Sequence, residues 1–236
     1  MGKRKDRRET AQRYARVAQI AAQSSVTTDE NLGNHQDAPL PDDLLAASPQ
    51  LATLVSPAQG RELTKMKKFR FQLLHQWMAT HLEPCRVADV GGGKGLLSYL
   101  LQGSGWSATV IDPFEQALPA KFKELSSGRQ IHLPASERVP RLNREFAPEM
   151  AQDFDLLVAM HAHGCNIQMV EAAARYGCGL ILLPCCVIHE PILPPPGVHW
   201  IQWLVEYLVA KGFAVEPFRL NFKGQNIGLY ARKMAY

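Results

Sequence analysis

The sequence predicts an α/β fold in which a mostly parallel sheet is covered by helices on both faces. From residue 61 onward, short apolar runs alternate with longer stretches whose apolar residues recur at helical spacing. Strands that alternate with helices join as right-handed βαβ units, and such strands run parallel. Two apolar runs, LLVAM at 156–160 and LILL at 180–183, do not alternate with polar residues. This pattern is typical of strands that are buried on both faces.

The predicted elements follow one another through this whole region. Apolar residues between Leu63 and Leu82 lie on one face of a helix, which Pro84 ends. Further helices are expected at 95–102, 114–125, 167–176 and 198–210. Strands are expected at 86–90, 107–111, 130–133, 154–160, 180–183, 213–220 and 227–232. No helix separates the last two strands, so they should form an antiparallel hairpin.

The length of the chain predicts one domain and an additional shorter segment. Its 236 residues exceed an average domain of roughly 150 residues. Residues 10–23 carry apolar side chains at helical spacing, whereas 24–60 are rich in Ser, Asp, Asn and Pro. We therefore predict a basic N-terminal helix and linker arm over 1–60 and a folded domain over 61–236.

Composition excludes several classes of protein. The chain is 46% hydrophobic and 20% charged, which is not the composition of a wholly disordered protein. No apolar run approaches the roughly 18 residues that a membrane span needs, and no apolar signal-peptide segment follows the charged start. The five cysteines are an odd number, which argues against a disulfide scaffold. These features predict a cytoplasmic protein without a membrane span.

Positive charge is concentrated in two runs, although the formal net charge is only +4. The residues that we expect to bind a partner are Lys3, Arg4, Lys5, Arg7, Arg8, Lys65, Lys67 and Lys68. Basic clusters raise the local concentration of polyanions, so RNA is the expected partner. A solvated tail that aids solubility is the alternative explanation of such runs.

The sharpest local pattern is VADVGGGKGLLSYL, in which a predicted strand meets a predicted helix across a run of glycines. Glycine allows a tight turn and a close approach of the backbone to a ligand, and the helix start offers unpaired amides. The spacing fits neither a phosphate-binding P-loop nor a dinucleotide-binding loop. It does give the series Asp89-x-Gly91-x-Gly93-x-Gly95. A carboxylate, Asp112, follows the next strand, where it could accept hydrogen bonds from two hydroxyls.

These features resemble motif I of class I S-adenosylmethionine-dependent methyltransferases. The segments DVGGGKGLLS, LVAMHAHG and LLPCCVIHE together resemble a methyltransferase-domain family with D-x-G-x-G-K-G-x-L-S, H-x-C-G and P-C-C motifs, which includes tRNA 2′-O-methyltransferases and methyltransferase-like proteins. The resemblance covers roughly residues 66–236 and implies a Rossmann-like sheet of seven strands in the order 3-2-1-4-5-7-6. It implies S-adenosylmethionine as cofactor. The residues expected to bind it are Asp89, Gly91, Gly92, Gly93, Lys94, Gly95, Asp112, Pro113 and Met160.

Catalytic residues of open α/β sheets lie beyond the carboxyl ends of the strands, and two predicted loops there carry reactive side chains. The candidates are His161, His163, Cys186 and His189. A histidine is suited to remove a proton from an acceptor, and His161 is the first choice. A cysteine thiolate could attack a pyrimidine ring, although a free cysteine is commonly a small buried apolar residue. Metal binding is an alternative for the side chains of His161, His163, Cys165, Cys185, Cys186 and His189. No pair of cysteines has C-x-x-C spacing and His-x-His-x-Cys is not a standard zinc signature, so no metal site is predicted.

The favoured function is S-adenosylmethionine-dependent methyl transfer to RNA, at a tRNA or rRNA nucleotide. Two alternatives stay open. One is a methyltransferase that acts on a small molecule or a protein. The other is a non-catalytic RNA- or ribosome-binding scaffold that keeps the fold, although such a scaffold has no physical need for the open glycine loop.

Overall fold

The computed structural model describes residues 2–26 and 66–234, with side chains described from residue 9 to 23 in the first range. Most of the predicted linker over 24–60, from residue 27 on, lies outside the described residues, and so does Lys65. The side chains of the five basic residues between Lys3 and Arg8 also lie outside the description. The division of the chain at residue 60 therefore stays a prediction.

Five helices and nine strands make up the described part of the chain. The helices are α1 (Gly2–Val26), α2 (Arg70–His81), α3 (Leu96–Gln102), α4 (Asn166–Tyr176) and α5 (Trp200–Ala210). The strands are β1 (Arg86–Val90), β2 (Ser107–Ile111), β3 (Lys121–Lys123), β4 (Gln130–His132), β5 (Arg141–Leu142), β6 (Leu156–Met160), β7 (Gly179–Leu183), β8 (Phe213–Arg219) and β9 (Ile227–Lys233). Short 3₁₀ turns lie at Lys67–Phe69 and Pro148–Asp153. Among these helices, none combines the length and apolar character that a membrane span requires.

Seven strands form one sheet in the order β5-β2-β1-β6-β7-β9-β8. The first five run parallel, while β9 is antiparallel to both β7 and β8. Counted along the chain among these seven, the order is 3-2-1-4-5-7-6. The predicted Rossmann-like fold of the class I methyltransferases is therefore confirmed, and the antiparallel hairpin at the end of the chain with it. The sheet differs in detail from the prediction, because another segment forms its third strand.

The segment between β2 and β6 departs from the sequence-based expectation. The predicted helix at 114–125 is wrong, since this stretch is irregular and ends in β3. Pro119 interrupts it, and Phe114 is 71% exposed, so there is no buried apolar face to stabilise a helix. The predicted strand at 130–133 is not part of the main sheet, because β4 pairs with β3 in a separate hairpin. The third strand of the sheet is β5, whose two residues pair with the end of β2.

Successive residues of each central strand face opposite sides of the sheet, so two hydrophobic clusters form. Helices α4 and α5 pack with α1 on one side, where they meet Ala88, Val90 and Leu157. Helices α2 and α3 pack on the other side against Val87 and residues of β6 and β7. Strand β1, which leads into the glycine loop, is therefore packed on both faces.

Helix α1 packs against α5 and β8 rather than standing away from the sheet. Val17 is fully buried and Ala21 is 6% exposed. The hydroxyl of Tyr14 donates a hydrogen bond to the carbonyl of Pro217 on β8 at 3.1 Å. The predicted helix at 10–23 is confirmed, and its apolar face belongs to the main core.

The contact of α1 with the core predicts a measurable loss of stability. Val17→Ala removes two buried methyl groups and should lower the free energy of unfolding by about 1–2 kcal/mol, measured by denaturant titration. Gln19→Ala, at an exposed position of the same helix, is the matched control and should leave it nearly unchanged. Equal unfolding midpoints for the two variants would contradict the packing of α1.

Candidate functional site

A cavity of about 600 Å³ opens where β1, β2 and β6 end. Its volume lies in the range of small-molecule sites, roughly 300–1,000 Å³. Six of the predicted site residues line it, namely Gly91, Asp112, Pro113, His161, His163 and His189. Its other walls come from Val90, Ile111, Phe114, Glu145, Phe146, Ala162, Gly164, Cys165 and Gln168. The structure therefore brings the residues that follow the first, second and fourth sheet strands around one space.

The glycine loop takes a path that side chains would block. Gly91, Gly93 and Gly95 all have left-handed backbones, with φ of 66°, 53° and 79°. A Cβ atom on Gly91 would lie 2.7 Å from the Cβ of Ala162, which is far inside contact distance. A Cβ atom on Gly95 would lie 2.8 Å from the side chain of Val139. The bare backbone therefore packs directly against the segment after β6 at Gly91 and against Val139 at Gly95.

Asp112 ties the glycine loop to the end of β2. Its Oδ2 accepts a hydrogen bond from the backbone N–H of Gly93 at 2.9 Å, and its Oδ1 accepts one from Phe114 at 2.9 Å. The side chain is 7% exposed and lies in the cavity wall. Each carboxylate oxygen has a further lone pair, so both oxygens retain capacity for a ligand donor.

Asp89 lies beneath the loop and not in the cavity wall. Its carboxylate is 2% exposed and accepts a hydrogen bond from the Ser98 hydroxyl at 2.9 Å. A Cβ atom on Gly92 would lie 2.6 Å from this carboxylate. Burial raises the pKa of Asp89 to about 6, against an ordinary value near 3.8. Asp89 thus joins β1 to the first turns of α3 and supports the loop from below.

The other predicted cofactor residues also lie outside the lining of the cavity. They are Gly92, Gly93, Lys94, Gly95 and Met160. Lys94 is exposed, and Met160 is buried in the cluster on the opposite side of the sheet. Gly92, Gly93 and Gly95 shape the loop without facing the space that it encloses.

Arg141, on β5, is a residue of the site that the sequence analysis missed. Its Nη2 donates hydrogen bonds to the carbonyls of Gly93 and Phe114, both at 2.8 Å. These are the same two residues whose N–H groups bind Asp112. Because β5 has only two residues and no apolar pattern, no local signal in the sequence indicated this contact.

His161 begins the loop after β6 in a left-handed conformation, with φ of 60°. Its backbone N–H donates to the carbonyl of Leu183 at 3.1 Å, which extends the pairing of β6 with β7. The Nε2 atom is buried and has no hydrogen-bond partner among the described residues. Burial, together with the positive charges of Arg70 and Lys67, lowers the pKa of His161 to about 4. The imidazole is therefore neutral at pH 7.

His163 meets the two adjacent cysteines that follow β7. Its Nδ1 lies 3.0 Å from the Sγ of Cys186, and its Nε2 lies 3.8 Å from the Sγ of Cys185. The two sulfur atoms are 3.7 Å apart. Two loops that are separate in sequence thus place three metal-binding or nucleophilic side chains in contact.

Glu190 locks these two loops together, and the sequence analysis did not single it out. Its carboxylate is 8% exposed and accepts hydrogen bonds from the backbone N–H groups of Asn166 and Ile167 at 3.1 and 3.0 Å. The Asn166 side chain adds a bond at 2.6 Å. A negative charge at the start of α4 also favours the helix dipole. His189, beside it, has φ of 62° and is exposed at the cavity.

The curated proteins that resemble this chain match less than half of its length. No protein-family model matches the chain. Two curated nematode proteins, each called "Probable tRNA (uracil-O(2)-)-methyltransferase", are similar over 104 residues, with 29% identity for that of Caenorhabditis briggsae and 28% for that of Caenorhabditis elegans. The similar segment is 44% of this chain and 18% of each relative. The chain therefore spans less than a fifth of the length of the curated relatives it matches.

Several solved methyltransferase structures are similar at low identity. The 1,6-didemethyltoxoflavin-N1-methyltransferase of Burkholderia thailandensis shows 17% identity and a TM-score of 0.43, covering 85% of this chain and 94% of its own. Magnesium protoporphyrin IX methyltransferase from Synechocystis shows 13% identity and a TM-score of 0.43, and the match covers 76% of this chain and 89% of that protein. Human N-acetylserotonin methyltransferase shows 16% identity and a TM-score of 0.39, and the match covers 79% of this chain and 60% of that protein. Since these TM-scores are below 0.5, the fold assignment rests on the strand order described above.

The lowered pKa of His161 predicts a pH dependence of stability. The unfolded imidazole binds a proton below about pH 6.5, whereas the folded one binds it only below about 4. The contribution of His161 is thus fully present above 6.5 and is lost as the pH falls towards 4. The stability of the wild type relative to His161→Gln should therefore fall between pH 7 and 4 in denaturant titrations. The exposed His132→Gln controls for the loss of one imidazole, and a pH-independent difference for His161→Gln would contradict the burial.

Proposed function

We propose that this chain is an S-adenosylmethionine-dependent methyltransferase whose acceptor is RNA. The observation that carries the proposal is the joint placement of the glycine loop and Asp112 at one cavity. The loop presents backbone without side chains, and the carboxylate that ties it down keeps lone pairs for a ligand. A nucleoside with two ribose hydroxyls fits this set of donors and acceptors.

The residues present fit such a cofactor. The backbone at Gly91 approaches Ala162 so closely that only glycine is accommodated, which leaves a smooth floor beside the cavity. Asp112 would accept the ribose hydroxyls, and Gly91 and Pro113 would flank the nucleoside. The nearby Phe114 is an aromatic side chain of the same wall, and it is largely exposed. When bound, the cofactor supplies a methyl group on a sulfonium, which is a good leaving group.

The residues of the chain have to position the acceptor and take up the proton that it loses. His161 lies in the cavity wall, and its buried Nε2 lacks a hydrogen-bond partner among the described residues, which is a costly state for a polar atom. With its pKa near 4, the neutral imidazole is suited to hydrogen-bond and orient an acceptor hydroxyl more than to retain its proton. His189 is the second residue at this wall. The roles of His163 and Cys186 in the chemistry stay predictions.

Positive charge beside His161 supports an anionic acceptor. Lys67 and Arg70 lie close enough for their charges to lower the pKa of His161, and Lys67 and Lys68 are exposed. Such a group of positive charges attracts the phosphates of RNA. The names of the two nematode relatives specify tRNA, which supports the same acceptor class.

Calorimetry with S-adenosylmethionine tests the cofactor assignment. The wild type should bind, and Asp112→Asn should lose about 10-fold or more in affinity, because hydrogen bonds to a carboxylate contribute roughly 1.5–3 kcal/mol. Asp153→Asn, at an exposed carboxylate beyond the opposite end of the sheet, is the matched control. The absence of binding by the wild type at millimolar cofactor would reject the enzyme and favour the non-catalytic scaffold.

Transfer of radiolabel from the cofactor tests the acceptor. Among total RNA, protein and metabolite fractions, the RNA fraction should take up label. Replacing Lys67 and Lys68 by Gln should weaken RNA binding. The slope of the logarithm of the binding constant against the logarithm of salt concentration should become shallower by about 0.7 for each phosphate that the protein no longer neutralises. Replacing Lys121 and Lys123, two exposed lysines of the separate hairpin, controls for net charge. Label in protein or metabolites alone would establish the rival acceptor class.

A further inference from the structure

We propose that His163, Cys185 and Cys186 form a zinc-binding site beside the cavity, in whose wall His163 lies. One ligand atom from each residue lies within 4.8 Å of the other two. The side chains come from the loops after β6 and β7, which the central pairing of these strands places side by side. This inference rests on the geometry of three side chains and does not depend on methyl transfer.

The spacing of the two sulfur atoms matches tetrahedral coordination. Two thiolates bound to zinc at about 2.3 Å, at the tetrahedral angle, lie about 3.8 Å apart. In this structure the Sγ atoms of Cys185 and Cys186 are 3.7 Å apart. The pair therefore needs almost no rearrangement to bind the ion.

The imidazole is also at a suitable distance. A zinc-bound nitrogen at about 2.0–2.1 Å lies about 3.6 Å from a zinc-bound sulfur. Only one nitrogen of the ring would bind the ion. The Nδ1 of His163 is 3.0 Å from the Sγ of Cys186, and a ligand nitrogen of the ring lies within 4.8 Å of both sulfur atoms. A rotation of this exposed side chain would bring that nitrogen to the required distance from both.

Both loops are held in place before any ion binds. The Glu190 carboxylate joins the loop after β7 to the start of α4, which follows the loop that carries His163. The N–H of His161 donates to Leu183, two residues before Cys185. A site whose supporting backbone is already fixed loses little conformational entropy on binding a metal.

The donor set favours zinc. Two thiolates and an imidazole are borderline-soft ligands, which select zinc over magnesium or calcium. Three protein ligands are the number found in zinc sites that keep one coordination position open. Because His163 lines the cavity, we place the open position there, where water or an acceptor atom would occupy it.

Cobalt(II) is the spectroscopic probe for this site, used on the reduced protein with its whole chain. One equivalent should produce a sulfur-to-cobalt charge-transfer band together with visible bands of tetrahedral cobalt, and zinc should abolish both. His163→Gln, Cys185→Ser and Cys186→Ser should each reduce the affinity by about 100-fold or more, since each removes a ligand. Cys85→Ser is the matched control at the opposite end of the sheet, and it should bind as the wild type does.

A wild-type protein without the charge-transfer band would overturn the proposal, and so would a band that persists when both Cys185 and Cys186 are replaced. Alkylation of the wild type gives an independent readout if a variant fails to fold. Zinc should protect Cys185 and Cys186 from iodoacetamide while Cys85 reacts at an unchanged rate, and unprotected cysteines would reject the site. Binding of S-adenosylmethionine, measured separately, distinguishes failure of this proposal from failure of the methyltransferase assignment.

Discussion

The hydrogen bonds of the Asp112 carboxylate are the constraint on which the cavity depends. They join the glycine loop after β1 to the segment after β2, through the N–H groups of Gly93 and Phe114. Arg141 joins the same two residues through their carbonyls. Glycine loses more conformational freedom on folding than other residues do, so a loop with three left-handed glycines needs such ties to keep one conformation. The acid and the guanidinium therefore hold open the space that a ligand would enter.

The opposite wall is fixed in a different way. Here two residues other than glycine, His161 and His189, adopt left-handed backbones, and such conformations persist only where their surroundings determine them. The bond from His161 to Leu183 and the Glu190 carboxylate at the start of α4 supply that constraint. Both strained histidines line the cavity. The strain is thus confined to the wall where an acceptor would be placed.

The central sheet and the glycine loop could be predicted from the sequence, because both depend on local pattern. The strands at 86–90 and 107–111 have the predicted ends, since buried apolar runs bounded by turn residues leave little ambiguity. The prediction for 114–125 was wrong because its apolar residues have helical spacing but no surface to cover. Arg141 and Glu190 were missed for another reason. Their contacts span 48 and 24 residues, and only the pairing of strands brings such partners together.

Under the proposed function, the charges around the cavity determine which way a donor and an acceptor face. Asp112 places negative charge at the end of β2, which suits a cationic sulfonium nucleoside. Lys67 and Arg70 place positive charge beside His161, which suits a phosphate-bearing acceptor. The same two cations help to keep His161 neutral, so its imidazole does not compete with them for the phosphate and can hydrogen-bond the reacting group. The chain thus separates attraction of the acceptor from contact with its reacting atom.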